Sequence, residues 1–425
     1  MQLAARSYIL TTILLLIFFY SQAQSECKGK EAFWKDPMNF IPAEDSPTFF
    51  VRVNYVIPQK KDGSGNYTAS DPEHEFLLRK SIDIANWHWK ELTDPRNKVC
   101  YTGDDFISST YVQFVLNEFI YFQDDYYWNA ENGAGCPNDG NWFLNDLEIE
   151  IRKNPKYDRA INIYLPNDSS DYDVLVLEKT FRDEPKGKPG CSELPTVRDL
   201  DRSSRICLGN DYNQFWWLKN VVIEEEALNP KMEPWSVLQG WNYSGRGNVL
   251  AHELGHSMGL SHGNEYHGLN KCHESIMNQL FVSPHNYLQP SEIGKMHLNL
   301  RVSNIRDFLQ EDVYVKKPII IEENRVLEID FKAYEDIVIK DGATLIIRCK
   351  LSLPAEAQVI VEPGGKLILD GGILHSRSTS ETDVVIQLQE KRSCFLKSKA
   401  KRKKGAYESK GKSSLSGSIE MVKVK

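Results

Sequence analysis

His252-Glu253-Leu254-Gly255-His256-Ser257-Met258-Gly259-Leu260-Ser261-His262 fits the pattern HExxHxxGxxH, and the rest of the chain is best read outward from it. On a helix, His252 and His256 stand one turn apart on one face, so both imidazoles can reach one ion, while Glu253 projects beside them toward a water in the same site. Gly259 lets the chain turn sharply enough for His262 to supply a third nitrogen. Three histidines leave the fourth tetrahedral position open to water, the arrangement of a catalytic rather than a structural zinc. With 10 His and 26 Gly in 425 residues, a chance match has odds on the order of 1 in 10⁴ to 10⁵. The remaining histidines carry no such spacing; His267 and His273 lie nearby but read as loop residues.

The pattern resembles the metzincin clan of zinc endopeptidases, whose second hallmark is a methionine turn beneath the metal. Ser275-Ile276-Met277-Asn278 follows His262 at a suitable distance, which makes Met277 the candidate. The resemblance implies one catalytic Zn2+ held by His252, His256 and His262, with Glu253 as the general base. It also implies hydrolysis of peptide bonds in protein or peptide substrates, which a cleft running past the metal accepts as extended chains. The pocket residues that would set cleavage preference are not located by the motif, and no signature of a structural Ca2+ is legible.

The order of elements predicts an α+β catalytic domain over residues 49–310, with a mixed twisted sheet, a zinc helix and a methionine turn. Residues 49–57 read as a strand, and 73–92 carry Phe76, Leu77, Ile82, Ile84 and Trp87 at helical spacing. Further strands are expected over 111–122, 160–165 and 220–224. The zinc helix starts near Asn248 with Val249, Leu250, Leu254 and Met258 for the core, and a closing helix starts at Pro290 with Ser291 as its cap. Within the clan the pattern is most similar to secreted bacterial pappalysin-like or cytophagalysin-like enzymes, over roughly residues 49–308. Gly263 follows the third histidine, and the Cys-x-Asp-Thr-Pro segment of pappalysins is absent, with Cys272 alone in that region. Gln279 stands where astacin-like and serralysin-like enzymes place a tyrosine, so a tyrosine ligand is not expected.

The N-terminus carries Arg6, an apolar run from Ile9 to Tyr20 and then Ser21-Gln22-Ala23, the signature of a signal peptide over residues 1–23. The mature chain, opening with a short segment over 24–48, is therefore expected to be secreted and extracellular, with no other stretch apolar enough to span a bilayer. Its eight cysteines favour disulfides in an oxidising compartment. Cys191 with Cys207 and Cys100 with Cys136 are plausible local pairs. Cys27, Asp36 or Asp45 could in principle cap the zinc, but ordinary structural roles are favoured. Sequons stand at Asn66, Asn167 and Asn242.

The net charge of -8 conceals an asymmetry, for residues 391–425 hold 12 Lys or Arg against Glu408 and Glu420. An acidic body argues against nucleic acid as a partner. The basic end, over 376–425, reads as a disordered solvated tail, with a surface-binding patch as the sharper alternative.

After Phe308 the texture changes. Residues 337–347 (IVIKDGATLII) align with 359–369 (VIVEPGGKLIL) at an offset of 22, and 319–329 is a weaker earlier copy. Short apolar strands with Gly-rich corners resemble the coils of a β-solenoid; a plain β-sandwich is the competing reading. Either way a small all-β accessory domain is expected over 311–375, offering a surface for contacts. A different class of function, a secreted adhesin with a vestigial protease domain, is opposed by the intact Glu253.

Overall fold

The computed structural model describes residues 27, 31–64, 67–95, 100, 106–128, 144–157, 159–165, 190–192, 205–208, 247–260, 274–277, 286–377, 384–389, 405–410, 413–416 and 419–424. The fold mixes α-helices with largely parallel sheets. It divides into two compact units, one of residues 40–42 and 48–311, the other of residues 1–39, 43–47 and 312–425.

The unit that carries the histidine motif is built on β1 (Phe49–Gln59), a strand buried along nearly its whole length. Buried on both faces, it reads as an almost continuous apolar run rather than an alternating one. It lies between β2 (Val112–Gln123) and β3 (Ile161–Tyr164), followed outward by β5 (Arg205–Leu208) and β4 (Gly190–Ser192), in the order β2-β1-β3-β5-β4. All pairs are parallel except β4 with β5. The register of β1 on β2 slips between Val53 and Asn54. There Asn54 is buried, donating to Asn162 Oδ1 (2.8 Å) and accepting from Asn117 Nδ2 (2.8 Å). Three strands thus share a row of amides, which keeps a polar side chain satisfied inside the sheet.

The helices are α1 (Pro72–Lys90), α2 (Asp125–Trp128), α3 (Leu144–Arg152), α4 (Gly247–Ser257) and α5 (Pro290–Val302). The core side of α1 is Leu78, Ile82, Ala85 and Trp89, spaced three or four apart, while Trp87, expected in the core, is half-buried. This helix packs against α4. The start of α5 differs from the expected cap at Ser291. Gln289 is the cap, bonded reciprocally with Glu292 three residues on, and Pro290 takes the first helical position, where its missing N–H costs nothing. The strand expected over 220–224, the signal segment and the three sequons lie outside the described residues.

In the other unit, strands return in three parallel sheets visited in rotation. One holds β6 (Val315–Ile321), β9 (Glu335–Ile339), β12 (Gln358–Val361), β15 (Val384–Gln389) and β18 (Ile419–Val424). The second holds β7 (Arg325–Leu327), β10 (Thr344–Ile347), β13 (Lys366–Asp370) and β16 (Ala406–Lys410). The third holds β8 (Phe331–Lys332), β11 (Lys350–Leu353), β14 (Ile373–Ser376) and β17 (Ser414–Ser416). The 22-residue repeat is the register itself: Ile337 pairs with Val359 and Leu345 with Leu367. Alternate residues such as Ile337, Ile339, Leu345, Ile347, Val359 and Val361 are fully buried. Outside, the same offset sets Lys340 on Glu362 (2.7 Å) and Arg348 on Asp370 (3.2 Å), exposed pairs worth little individually. Arg377 binds the Asp312 carboxylate and the carbonyls of Ala333 and Ser352, tying neighbouring turns of chain together.

Two boundaries therefore move. The accessory domain expected to end at 375 continues to Val424, and part of the end expected as a disordered tail is strand, because Val384, Ile386 and Leu388 alternate and are buried. Residues 390–404, which hold most of the tail's Lys and Arg, lie outside the described residues. At the other end, Cys27 and residues 31–39 belong to this same unit. Cys27 is joined to Cys349 by a disulfide, Glu31 accepts the Val326 N–H, and Trp34 is buried with its ring edge-on to Phe331.

One buried group makes the motif-bearing unit sensitive to acid. His297 on α5 donates its Nε2–H to the Thr110 carbonyl (2.8 Å), and burial, with Arg301 beside it, pushes its pKa down to about 3. The native state then holds it neutral while the unfolded chain is protonated below about 6.5. Stability contributed by this site is present above that pH and falls as the pH drops toward 3, by at most ~1.4 kcal/mol per pH unit. In metal-free protein, His297→Gln should keep the donor yet flatten the urea-unfolding pH profile over that window; an unchanged slope would remove His297 as its cause.

Candidate metal centre

The site is built on α4. His252 and His256, four residues apart, meet edge to face with ring centroids 4.8 Å apart, and their Nε2 atoms approach to 3.1 Å. Each Nδ1 faces a backbone carbonyl: His252 the Ile276 oxygen at 2.9 Å, His256 the Leu260 oxygen at 2.7 Å. A carbonyl only accepts, so both Nδ1 atoms carry hydrogen and both Nε2 atoms of the neutral rings present lone pairs. Two lone pairs facing each other at 3.1 Å repel unless a cation or a proton lies between them. Two nitrogens each ~2.0–2.1 Å from one ion at a near-tetrahedral angle stand about 3.1–3.4 Å apart, so the pair fits a shared metal without rearrangement.

What holds each ring follows from the local chain. Helix α4 ends in two reverse bonds, Leu260 N–H to Gly255 O (2.9 Å) and Gly259 N–H to His256 O (2.8 Å), with Gly259 at φ +93°. This is a Schellman turn, and a left-handed residue there favours glycine. The turn also returns the Leu260 carbonyl to His256. The carbonyl facing His252 comes from the segment 274–277. Ile276 N–H bonds Tyr287 O (3.0 Å), Tyr287 N–H bonds Glu274 O (3.1 Å), and the Ser275 hydroxyl accepts the Met277 N–H (3.1 Å). Met277 is wholly buried. A Cβ placed on Gly255 would lie 2.3 Å from Met277 Sδ, so the methionine packs directly on α4 at Gly255. Asn299 of α5 donates to the Met258 carbonyl (2.8 Å), and Trp89 of α1 to Ala251 O (3.3 Å).

Glu253 is 4% exposed, on the helix turn between His252 and His256. His262 lies outside the described residues, so the structure brings together His252, His256, Glu253 and Met277 of the five residues marked by the sequence. Cys27 is committed to its disulfide and has no thiolate to offer a metal. The same applies to the cluster of Cys27, Asp330 and Cys349, the one grouping of three candidate ligands found among the described residues. Cys191 and Cys207 face each other in register across β4 and β5, Cys100 is disulfide-bonded, and Cys136 lies outside the described residues.

Sequence reasoning did not reach the carbonyls of Ile276 and Leu260, because backbone acceptors have no residue code. One further contact did leave a signal, Gly255 between the histidines, where a methionine needed room. No protein-family model matches the chain, and no curated protein matches it.

Gly255→Ala should be costly in spite of the helix preference for alanine, because the added carbon meets Met277 Sδ at 2.3 Å. We expect a loss of about 1–3 kcal/mol. Combining it with Met277→Ala should cost less than the sum of the two single changes in thermal unfolding, since the second removes the obstacle met by the first. Strict additivity would mean that Met277 does not pack on this helix in solution.

Proposed function

We propose that this chain is a secreted zinc-dependent metalloendopeptidase of metzincin type. The observation that carries the reading is the pair of Nε2 atoms held 3.1 Å apart, with both Nδ1 atoms engaged by carbonyls, beside a buried glutamate. His252 and His256 would hold one Zn2+, with His262 as the third ligand by the spacing of the motif. Bound zinc would supply Lewis acidity and lower the pKa of its water toward ~7. Glu253 takes the proton from the attacking water and passes it to the leaving amine as the peptide bond breaks. The Nδ1–H bonds to backbone acceptors fix the tautomer that leaves each Nε2 lone pair for the metal.

Extended protein or peptide chains are the proposed substrates. Support comes from β4, the outer and antiparallel strand of its sheet, which packs near α4 and could pair with an added strand. For the second unit we favour a β-solenoid over a sandwich, because its three parallel sheets are visited in strict rotation with a 22-residue register. Its faces would serve contacts with surfaces or large substrates. Secretion is supported by the leader pattern over 1–23 and by the disulfide between Cys27 and Cys349, and among the described residues no helix is long and apolar enough to cross a membrane. The acidic body still argues against a nucleic-acid partner.

Purified chain should contain about one zinc per molecule and cleave casein or gelatin in a chelator-sensitive manner. His256→Ala should lose the metal. Glu253→Ala should keep it while turnover falls by ~10² to 10⁴. Full zinc and full activity in His256→Ala, or near-normal proteolysis in Glu253→Ala, would refute these assignments.

A further inference from the structure

We propose that His88, on α1, is a positioning residue for the metal centre, acting through Asn286 on the carbonyl that orients His252. The inference rests on the metal reading of that site. His88 is 8% exposed, and its Nδ1 bonds the side-chain oxygen of Asn286. Asn286 gives its Nδ2–H to the Glu91 carbonyl (3.2 Å), so its Oδ1 is the acceptor and His88 the donor. The backbone oxygen of Asn286 also accepts the Thr93 N–H at 2.8 Å. The end of α1 thus grips this residue at three points.

From there the link is one residue long at each step. Tyr287 follows Asn286 and bonds Glu274 O and Ile276 N, and the Ile276 carbonyl receives the Nδ1–H of His252. Trp89, next to His88, donates to Ala251 O, immediately before His252. The last turn of α1 therefore fixes both the helix that bears the ligand and the acceptor that sets the angle of its ring. Loss of an outer partner of a metal-bound histidine commonly costs 10–100-fold in metal affinity. Nothing in the HExxHxxGxxH spacing points to His88, which lies far upstream in the sequence.

The test uses the full chain and measures Zn2+ affinity by chelator competition, with melting of the metal-free protein as a control for stability. His88→Leu removes the donor, whereas His88→Asn keeps an N–H at the same position along the side chain. We expect His88→Leu and Asn286→Ala each to weaken zinc binding by roughly 10-fold or more, the double variant to lose no more than either alone, and His88→Asn to recover most of the loss. A role in folding only would lower the melting temperature of the metal-free variants and leave affinity within twofold of the parent, and that result overturns the proposal. Should His88→Leu not fold, the comparison of His88→Asn with Asn286→Ala decides: equal affinities in the two overturn it. If the parent chain itself binds no zinc, the metal reading falls first and this inference falls with it, an outcome distinct from tight binding that ignores His88.

Discussion

Two imidazoles on one helix face direct their Nε2 atoms at a common point 3.1 Å apart from each other, and each has its other ring proton tied to a carbonyl. Without a cation between them this is a repulsive arrangement of lone pairs, so the surrounding structure must hold it in place. Three separate devices do so. The Schellman turn at Gly259 returns Leu260 O to one ring, the paired segments around Ile276 and Tyr287 present a carbonyl to the other, and Met277 packs on the same helix at Gly255. On the proposed reading, a bound metal would replace the repulsion with two coordinate bonds. Packing and backbone hydrogen bonding thus hold the two rings in this arrangement.

The central sheet makes that rigidity possible. β1 is buried on both sides and carries the bulge where Asn54 is satisfied by amides from neighbouring strands, and α1 packs against α4 with Trp89 bonded to its backbone. In the other unit, rigidity comes from repetition. Identical offsets stack Ile337 on Val359 and Leu345 on Leu367, and a disulfide ties residue 27 to residue 349. A chain that passes through one unit, builds the other and returns has its N-terminal stretch secured far along the sequence.

Elements with a strong period were legible in advance: β1, α1, β2, β3, α4 and α5 lie within a few residues of their expected places. So does the 22-residue register, because it repeats apolar residues at fixed intervals. The misses share a cause. Ser291 looked like a cap because serine is a good one, but Gln289, two residues earlier, completes a reciprocal box with Glu292. Trp87 looked like core because it falls at helical spacing from Ile84, but the buried row runs through Leu78, Ile82, Ala85 and Trp89 instead. The basic end looked disordered because lysine dominates its composition, yet Val384, Ile386 and Leu388 keep strand alternation, and pairing partners lie far away in sequence. At the site, ligand spacing is encoded locally, whereas the carbonyls of Ile276 and Leu260 and the grip of His88 on Asn286 arise from tertiary contacts that no short motif records.

X-ray absorption at the zinc edge of the purified full chain tests the central claim most directly. A shell of about four nitrogen or oxygen scatterers at ~2.0–2.1 Å with the outer-shell signature of several imidazoles, and no sulfur, is the predicted result. A sulfur shell near ~2.3 Å would assign the metal to cysteines, and an absence of bound zinc in protein refolded or expressed with excess metal would leave the paired histidines of α4 without the role argued for them.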